Sequence, residues 1–570
     1  MNDIRRTILW VVFGFSLVLL WDQWQVHNGR QATFFPQSAK STATAPAPKG
    51  PASVPSAVPT PAPAAAAPGV PPSGAAATSP AATPRERFTV TTDLLRVTFD
   101  SEGGSIVRTE FLKVSADSTT EKGTSTFVLL EESPQRVYVA QSGLIGGDFP
   151  NHKTVMSVSG ERELKPGADG LTVRFESPEK NGVKLVKAYT LKRGQYDIAV
   201  RHETINTGGA PVAPQLYMQL VRDGNPLPNE SSFYSTFTGP AAYTEEQKFQ
   251  KVDFSDIEKN KVDIQKESTT GYVAMVQHYF ASAWILPDGL RRELFMRKVD
   301  NNLYAAGMIA PLDSVAPGAT KAVDAKFFAG PQAEKMLEAV APGLDLVKDY
   351  GWLTILAKPL YWLLDKLHSF IGNWGWSIMA LVLVIKIAFY WLQAKGYESM
   401  AKMKAINPRV MQMRERYKDN PQQMQQEMMR IYREEKVNPL GGCFPIMVQI
   451  PVFIALYWVL LASVEMRNAP WIGWIRDLSS PDPFFILPVV MTLTTLLQTA
   501  LNPVPPDPMQ AKMMWYMPLA FSVMFFFFPA GLVLYWITNN VLSIAQQWLI
   551  NTRMGVPPEF NLPKFGKKAT

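Results

Sequence analysis

The 570-residue sequence predicts an α-helical polytopic membrane protein with six transmembrane helices, joined to a large all-β sandwich domain. Three observations carry the prediction. Several apolar runs approach the roughly 20 residues that cross a bilayer as a helix. Residues 85–335 instead alternate apolar and polar side chains, with Leu171, Val173 and Phe175 in one run and Tyr196, Ile198 and Val200 in another. Lys and Arg concentrate in residues 395–440, which the positive-inside rule assigns to the cytoplasm.

Composition narrows the function classes. Only 18% of residues are charged, and mean hydropathy is near zero because apolar and polar halves cancel. The formal net charge of +7 is a sum over compartments. Cys443 is the sole cysteine, which rules out an intramolecular disulfide and a cysteine-based metal site. The five histidines show no metal-ligand spacing. There is no phosphate-binding loop, no hydrolase elbow and no nucleophile–base pair within the spans. These features point away from an enzyme and imply no metal and no cofactor.

In chain order, residues 1–26 hold Arg5 and Arg6 ahead of an apolar run and lack a small-residue cleavage site, so they predict a signal-anchor helix with its N-terminus in the cytoplasm. A cleaved signal peptide is the alternative. Residues 27–84 are rich in Pro, Ala, Ser and Thr and predict a disordered tether. Residues 85–335 follow outside the cytoplasm, with turn signals at Gly103-Gly104 and Asn181-Gly182. A scaffold or docking role and a binding cleft are both open for this domain. His202 falls in phase with Ile198 and Val200, as a sheet histidine with satisfied hydrogen bonds would.

Residues 343–372 carry Tyr350, Leu353, Leu360, Leu364 and Leu367 at helical spacing, and Pro359 is expected to split them into two pieces. Such a helix lies in the membrane interface or packs on the β domain. Residues 374–394 form the second span, with Lys386 at its middle. An ammonium at that depth costs roughly 2.5–3.5 kcal/mol on insertion scales. The remaining spans contain no Asp or Glu to pair with it, so a wet cavity must hold it. Met379, Val382, Lys386, Tyr390 and Gln393 share one helical face.

Residues 395–440 predict a basic helical hairpin, with Met400, Met403, Val410, Met413 and Tyr417 on one helix and Met424, Met428 and Ile431 on the next. Asn420-Pro421 is the start signal of the second helix. The methionines either form the hairpin core or grip apolar clients. The basic residues are a solvated face, or touch lipid headgroups or RNA. Residues 441–551 hold the last four spans, and residues 552–570 form a basic tail that also belongs inside. Gln449, Thr495, Gln498, Asn502, Asn540, Ser543 and Gln547 all fall in the cytoplasmic half of their spans. Interhelical hydrogen bonding explains the amides and hydroxyls, but not an unpaired lysine.

The runs Asn438-Pro-Leu-Gly-Gly-Cys-Phe-Pro-Ile-Met-Val-Gln-Ile-Pro451 and Phe528-Pro-Ala-Gly-Leu-Val-Leu-Tyr-Trp536, followed by Thr538-Asn539-Asn540, resemble the signature of the YidC/Oxa membrane insertase family. Ser399-Met-Ala-Lys-Met403 and Asp507-Pro-Met509 match it too. The anchor, tether and large domain resemble its Gram-negative form, located in the inner membrane with the large domain periplasmic. The resemblance implies a five-helix insertase core with a positively charged groove open to the cytoplasm. There Lys386 supplies the charge where the family usually has arginine, without the guanidinium's planar fork. Tyr390, Gln449, Gln498, Trp536 and Asn540 are the expected groove lining, and Phe453, Met491 and Met524 the apolar wall by which clients exit. The implied function is membrane protein insertion and chaperoning without cofactor. Nascent membrane proteins, the lipid bilayer and the Sec translocon are the implied partners, and the basic hairpin and tail are candidates for ribosome contact. A small-anion transporter or channel built on Lys386 is the alternative, but no inverted repeat is visible.

Overall fold

A computed structural model describes residues 85–115, 126–227, 236–418, 420–435, 444–502, 508–555 and 560–561. The expected anchor helix and tether, and most of the basic tail, lie outside the described residues. The described chain divides into two compact units at Asp349 and Tyr350.

The first unit is built from two antiparallel sheets. One runs Arg87–Thr91, Leu95–Asp100, Ser105–Ser115, Thr126–Glu132, Val137–Ile145, Gln215–Asp223, Leu303–Pro311, Arg292–Asp300 and Glu267–Ser268 from edge to edge. The other runs Lys248–Lys251, Gly239–Thr244, Tyr272–Gln277, Phe280–Ile285, Thr320–Pro331, Asp197–Asn206, Val183–Lys192, Gly170–Glu176 and Ser157–Gly160. Their inner faces meet over Phe99, Phe175, Tyr189, Ile198, Met218, Trp284 and Phe327, all buried. The alternation seen in sequence has this cause: Leu171, Val173 and Phe175 turn inward, while Thr172 and Glu176 are exposed. Asn181 and Gly182, with φ of 51° and 71°, form the tight turn that returns the chain into Val183–Lys192. Two short helices, α1 (Phe254–Glu258) and α2 (Glu334–Val340), complete the unit. Leu337 of α2, with Leu344 and Val347, covers Tyr272 and Phe328 on the outer face of the second sheet.

His202 is buried as expected, but only half satisfied: Nε2 bonds to Ser142 Oγ at 2.9 Å, while Nδ1 has no partner among the described residues. Beside it Lys187 is fully buried, its Nζ donating to the carbonyls of Gly103 at 2.5 Å and Ser142 at 2.7 Å. Burial lowers Lys187 from 10.5 to about 7. Burial, then the nearby lysine, lowers His202 from 6.5 to about 3. In both cases the unfolded chain holds the proton to higher pH than the folded one, so stability rises with pH across the gap. For His202 the window runs from about pH 3 to 6.5, and for Lys187 from about pH 7 to 10.5. Urea midpoints of the protein should therefore climb from neutral to mildly alkaline pH, and Lys187→Met should lose that climb. Equal slopes in both proteins would show that the ammonium keeps its ordinary affinity for the proton.

The second unit is helical. A 3-10 turn at Gly351–Leu353 precedes α3 (Thr354–Ile371), which runs through Pro359 without a break. The expected split at Pro359 is thus corrected. Pro359, the sixth residue of α3, forgoes the bond to the carbonyl of Ile355 without breaking the helix, and the real division is at Thr354. Ala357, Tyr361 and Leu364 of α3 are buried in the helical core, whereas Ile355, Trp362 and Phe370 on the other side are 88%, 61% and 87% exposed.

Then come α4 (Trp374–Ala388), α5 (Tyr390–Arg416), α6 (Pro421–Glu434), α7 (Phe444–Ala462), α8 (Ile486–Leu501), α9 (Pro508–Met524) and α10 (Ala530–Arg553). Among the described residues no single helix is long and apolar enough to cross a membrane. One bent pair, Trp374–Ala388 with Tyr390–Met403, passes by length and composition, with a bend of 69°. Gln449–Ala462, Ile486–Leu501 and Ala511–Phe527 are shorter apolar helices. The expected six spans are not recovered helix by helix. The second span does not end at 394 as a straight rod but breaks at Phe389, and α5 carries on as the first helix of the hairpin. In that hairpin Asn420 Oδ1 accepts from Gln423 N at 3.2 Å, so Asn420 caps α6 with Pro421 behind it. Ile406, Val410, Met413 and Ile431, with Met403, Met424 and Met428 against them, make its core. These methionines pack on each other, while Met411 and Met429 are left exposed.

Candidate functional site

Lys386 lies in the last turn of α4 and is 7% exposed. Immediately after α4 the chain bends. Phe389 leaves helical geometry at φ −95° and ψ 9°, yet its N–H still reaches Ile385 O and its carbonyl still accepts from Gln393 N, each at 3.0 Å. The bend brings Gln393 back toward Lys386. Lys386 Nζ donates to Ser543 Oγ at 2.7 Å and to Gln393 Oε1 at 3.3 Å. Gln393 Nε2 donates to Gln449 Oε1 at 3.3 Å, and Gln449 Nε2 to Asn539 Oδ1 at 3.0 Å. Ser543 Oγ donates to Asn539 O at 2.7 Å and closes the ring. Four helices, α4, α5, α7 and α10, meet in it. Lys386 has no carboxylate partner among the described residues, so every group that holds it is neutral.

The other end of α10 is sealed. Its first N–H groups, on Ala530 and Gly531, donate to Ser480 O at 2.8 Å and Leu478 O at 2.9 Å in the loop before α8. Two carboxylates stiffen that loop. Asp477 accepts from Asn468 N, Ser479 and Ser480, and Asp482 from Trp474 Nε1, Phe484 N and Leu487 N. From Ala530 to Asn539 is nine residues, about 14 Å of helix at 1.5 Å per residue. Between the sealed end and the ring sits an aromatic cluster, in which Trp536 meets Phe453 edge-on at 4.7 Å and Phe525 at 5.1 Å.

The expected site residues divide accordingly. Lys386 and Gln449 are members of the ring, and Trp536 and Phe453 pack in the aromatic cluster next to it. Tyr390 is not a member: its side chain is exposed, and only its carbonyl is used, accepting from Gln546 Nε2 at 3.4 Å. The break at Phe389 rotates it off the face it would share with Lys386 in a straight helix. Asn540 points to α8 instead, where Nδ2 donates to Thr494 at 3.2 Å and Thr495 at 2.8 Å. Gln547 likewise ties α10 to Leu501 O and Asn502. These are bonds between helices, the role polar residues commonly take in membranes. Gln498 is half-buried on α8, outside the ring. Of the expected exit wall, Met524 is 36% exposed and Phe453 partly buried, but Met491 is 1% exposed, with Thr495 Oγ1 at 3.3 Å from its sulfur. Met491 is core and is withdrawn from the wall.

Three ring members, Gln393, Asn539 and Ser543, were not among the expected lining. Gln393 and Ser543 lie on polar faces visible in the sequence, and Asn539 lies in the Thr538-Asn539-Asn540 run. What selects them over Tyr390 and Asn540 is the bend and the rotation of α10.

Residues 87–363 match the family model of the YidC periplasmic domain, and residues 366–556 that of the 60Kd inner membrane protein. The membrane protein insertase YidC of Cupriavidus necator is 55% identical over 557 residues, covering 97% of this chain and 98% of the relative. That of Cupriavidus metallidurans is 57% identical over 555 residues, with the same coverage of 97% and 98%. A solved structure of an active YidC insertase, with its first transmembrane domain resolved, is 18% identical, covers 80% of this chain and 91% of its own, and gives a TM-score of 0.37. The sequence matches, and not the structural one, carry the weight.

Proposed function

The chain belongs to the YidC family of membrane protein insertases, and we infer from that membership that the ring around Lys386 receives the hydrophilic segment of a client. The protein is a transmembrane insertase of the inner membrane, with a periplasmic domain. Its relatives are named for insertion and not for a covalent reaction.

One observation carries the inference. A buried ammonium is held by an amide and a hydroxyl with no counter-charge among the described residues, so two of its three donors are met while its charge is not. In a low-dielectric setting such a charge attracts an anionic or strongly polar segment more strongly than it would at an exposed surface. The sealed end of α10 and the aromatic cluster would keep that segment on one side, and the ring side would open to the cytoplasm. Apolar client segments would leave along the bare faces of α7 and α9, past Phe453 and Met524, where Tyr516, Phe521 and Val523 are 63%, 58% and 60% exposed. The bare side of α3 would rest in the membrane interface. Work alone or beside the Sec translocon, ribosome contact through the basic hairpin and tail, and a chaperone role are further parts of this proposal.

Photo-crosslinking during synthesis tests it. A photoreactive residue at Gln449 should capture the hydrophilic segment of a single-span client, one at Phe521 its apolar segment, and one at Met491 neither. Capture of the hydrophilic segment equally from all three positions would remove the ring as its receiver.

A further inference from the structure

Gln393 lies on the far side of the bend from Lys386. It belongs to α5, whose 27 residues run from Tyr390 to Arg416, about 40 Å at 1.5 Å per residue. The far half of that helix is the hairpin, packed on α6 through Ile406, Val410 and Met413. Near the bend, α5 is tied to α4 by Lys386 Nζ to Gln393 Oε1 and to α7 by Gln393 Nε2 to Gln449 Oε1, both at 3.3 Å, and to α10 by Gln546 Nε2 to Tyr390 O at 3.4 Å and by the hydrogen bond between Tyr397 and Ser543. Both bonds of Gln393 are long. The one to Lys386 sets a neutral amide oxygen against a cation, where a carboxylate would add an opposite charge. The other bond that Lys386 donates, to Ser543 Oγ at 2.7 Å, runs to α10.

We propose that Gln393 is a latch: in the resting protein it occupies the position on Lys386 that an acidic client group takes, and its displacement frees the hairpin helix. Gln393 is a positioning residue that acts through Lys386, and the inference rests on reading Lys386 as the charge that receives clients. Client occupancy of the ring and the position of the hairpin are then coupled through one side chain. A segment without acidic groups does not displace the amide, so the hairpin answers to the charge of what has entered.

The test uses the full chain in nanodiscs. In a Cys443→Ser background, Met411→Cys on α5 and Met554→Cys at the end of α10, both exposed, carry spin labels. The probe is a synthetic single-span peptide with three aspartates in its translocated tail, beside a twin with three asparagines. Double electron–electron resonance should show the aspartate peptide shifting the label distance and the asparagine twin leaving it unchanged. Gln393→Leu should show the shifted distance without any peptide. Gln393→Glu, which pairs with Lys386 as an ion pair, should keep the resting distance even with the aspartate peptide. In that variant, insertion of an aspartate-tailed client should fall roughly fivefold or more relative to that of its asparagine twin. A label distance that ignores the aspartate peptide, in a protein whose insertion of that client still needs Lys386, overturns the latch and leaves the receiving charge standing. Insertion of the aspartate client that does not depend on Lys386 removes the reading beneath both.

Discussion

Lys386→Glu should nearly abolish insertion of clients whose translocated segment is acidic, and should leave clients with a neutral segment far less affected. The ring supplies neutral hydrogen bonds only, so the field in it is the field of Lys386. Glutamate reverses that field and turns attraction into repulsion. Lys386→Ala removes the attraction and should be intermediate. Lys386→Arg should keep most activity, since it retains the charge, although a planar guanidinium must find its own geometry against Ser543 and Gln393. A coupling of about 1–3 kcal/mol between client charge and ring charge corresponds to roughly 5–150-fold in the inserted ratio of paired clients. The measurement is the inserted fraction of two clients differing only in the charge of that segment, at equal levels of each variant. Equal fractions for the Lys, Ala and Glu proteins would reduce Lys386 to a structural residue.

Arg292→Ala should produce the largest loss of stability in the periplasmic domain. Arg292 is fully buried in the first strand position of Arg292–Asp300 and donates only to backbone. Nε reaches Leu290 O at 2.9 Å. Nη1 reaches Gly271 O at 2.9 Å and Leu286 O at 3.2 Å, and Nη2 reaches Thr269 O at 2.8 Å and Pro287 O at 2.5 Å. One side chain thus clamps the turn after Phe280–Ile285 to the segment before Tyr272–Gln277. The clamped segment has no slack: Gly271 stands at φ 95°, and a Cβ there would lie 1.8 Å from Tyr243 O. Burial pulls the guanidinium down to about 10, still well above neutral pH, so it remains charged as it holds these carbonyls. Removing it leaves several buried acceptors unpaired, and the expected loss is about 3–5 kcal/mol. Urea unfolding followed by the burial-sensitive fluorescence of Trp284 would measure it. A loss below about 1 kcal/mol would mean that water replaces the guanidinium at little cost.

Much of this was legible without coordinates, and the limits are instructive. Strand alternation placed Val173, Phe175 and Ile198 inward correctly, because a period of two leaves a strand only two faces. Asn420 and Pro421 marked the start of α6 because capping is a local event between neighbours in the chain. Pro359 misled for the same local reason. It reads as a breaker, but α3 continues through it with one backbone bond missing while Ala357, Tyr361 and Leu364 pack in the helical core. Tyr390 and Gln393 were both assigned to the face of Lys386 by counting along one continuous helix. The 69° bend at Phe389 kept Gln393 there and turned Tyr390 away.

By itself the sequence determined the two-part architecture, the presence of an unpaired cation among apolar segments, and the motifs that tie the chain to its family. These depend on composition and on neighbours within a few residues. Only the tertiary structure decided which polar groups meet that cation, that Met491 is core, and that the hairpin helix begins beside Lys386. The reason is physical. Burial and hydrogen-bond partnership at a crossing of four helices depend on the rotation of each helix about its axis, which is set by packing against the others. A bend of one residue redirects every side chain beyond it.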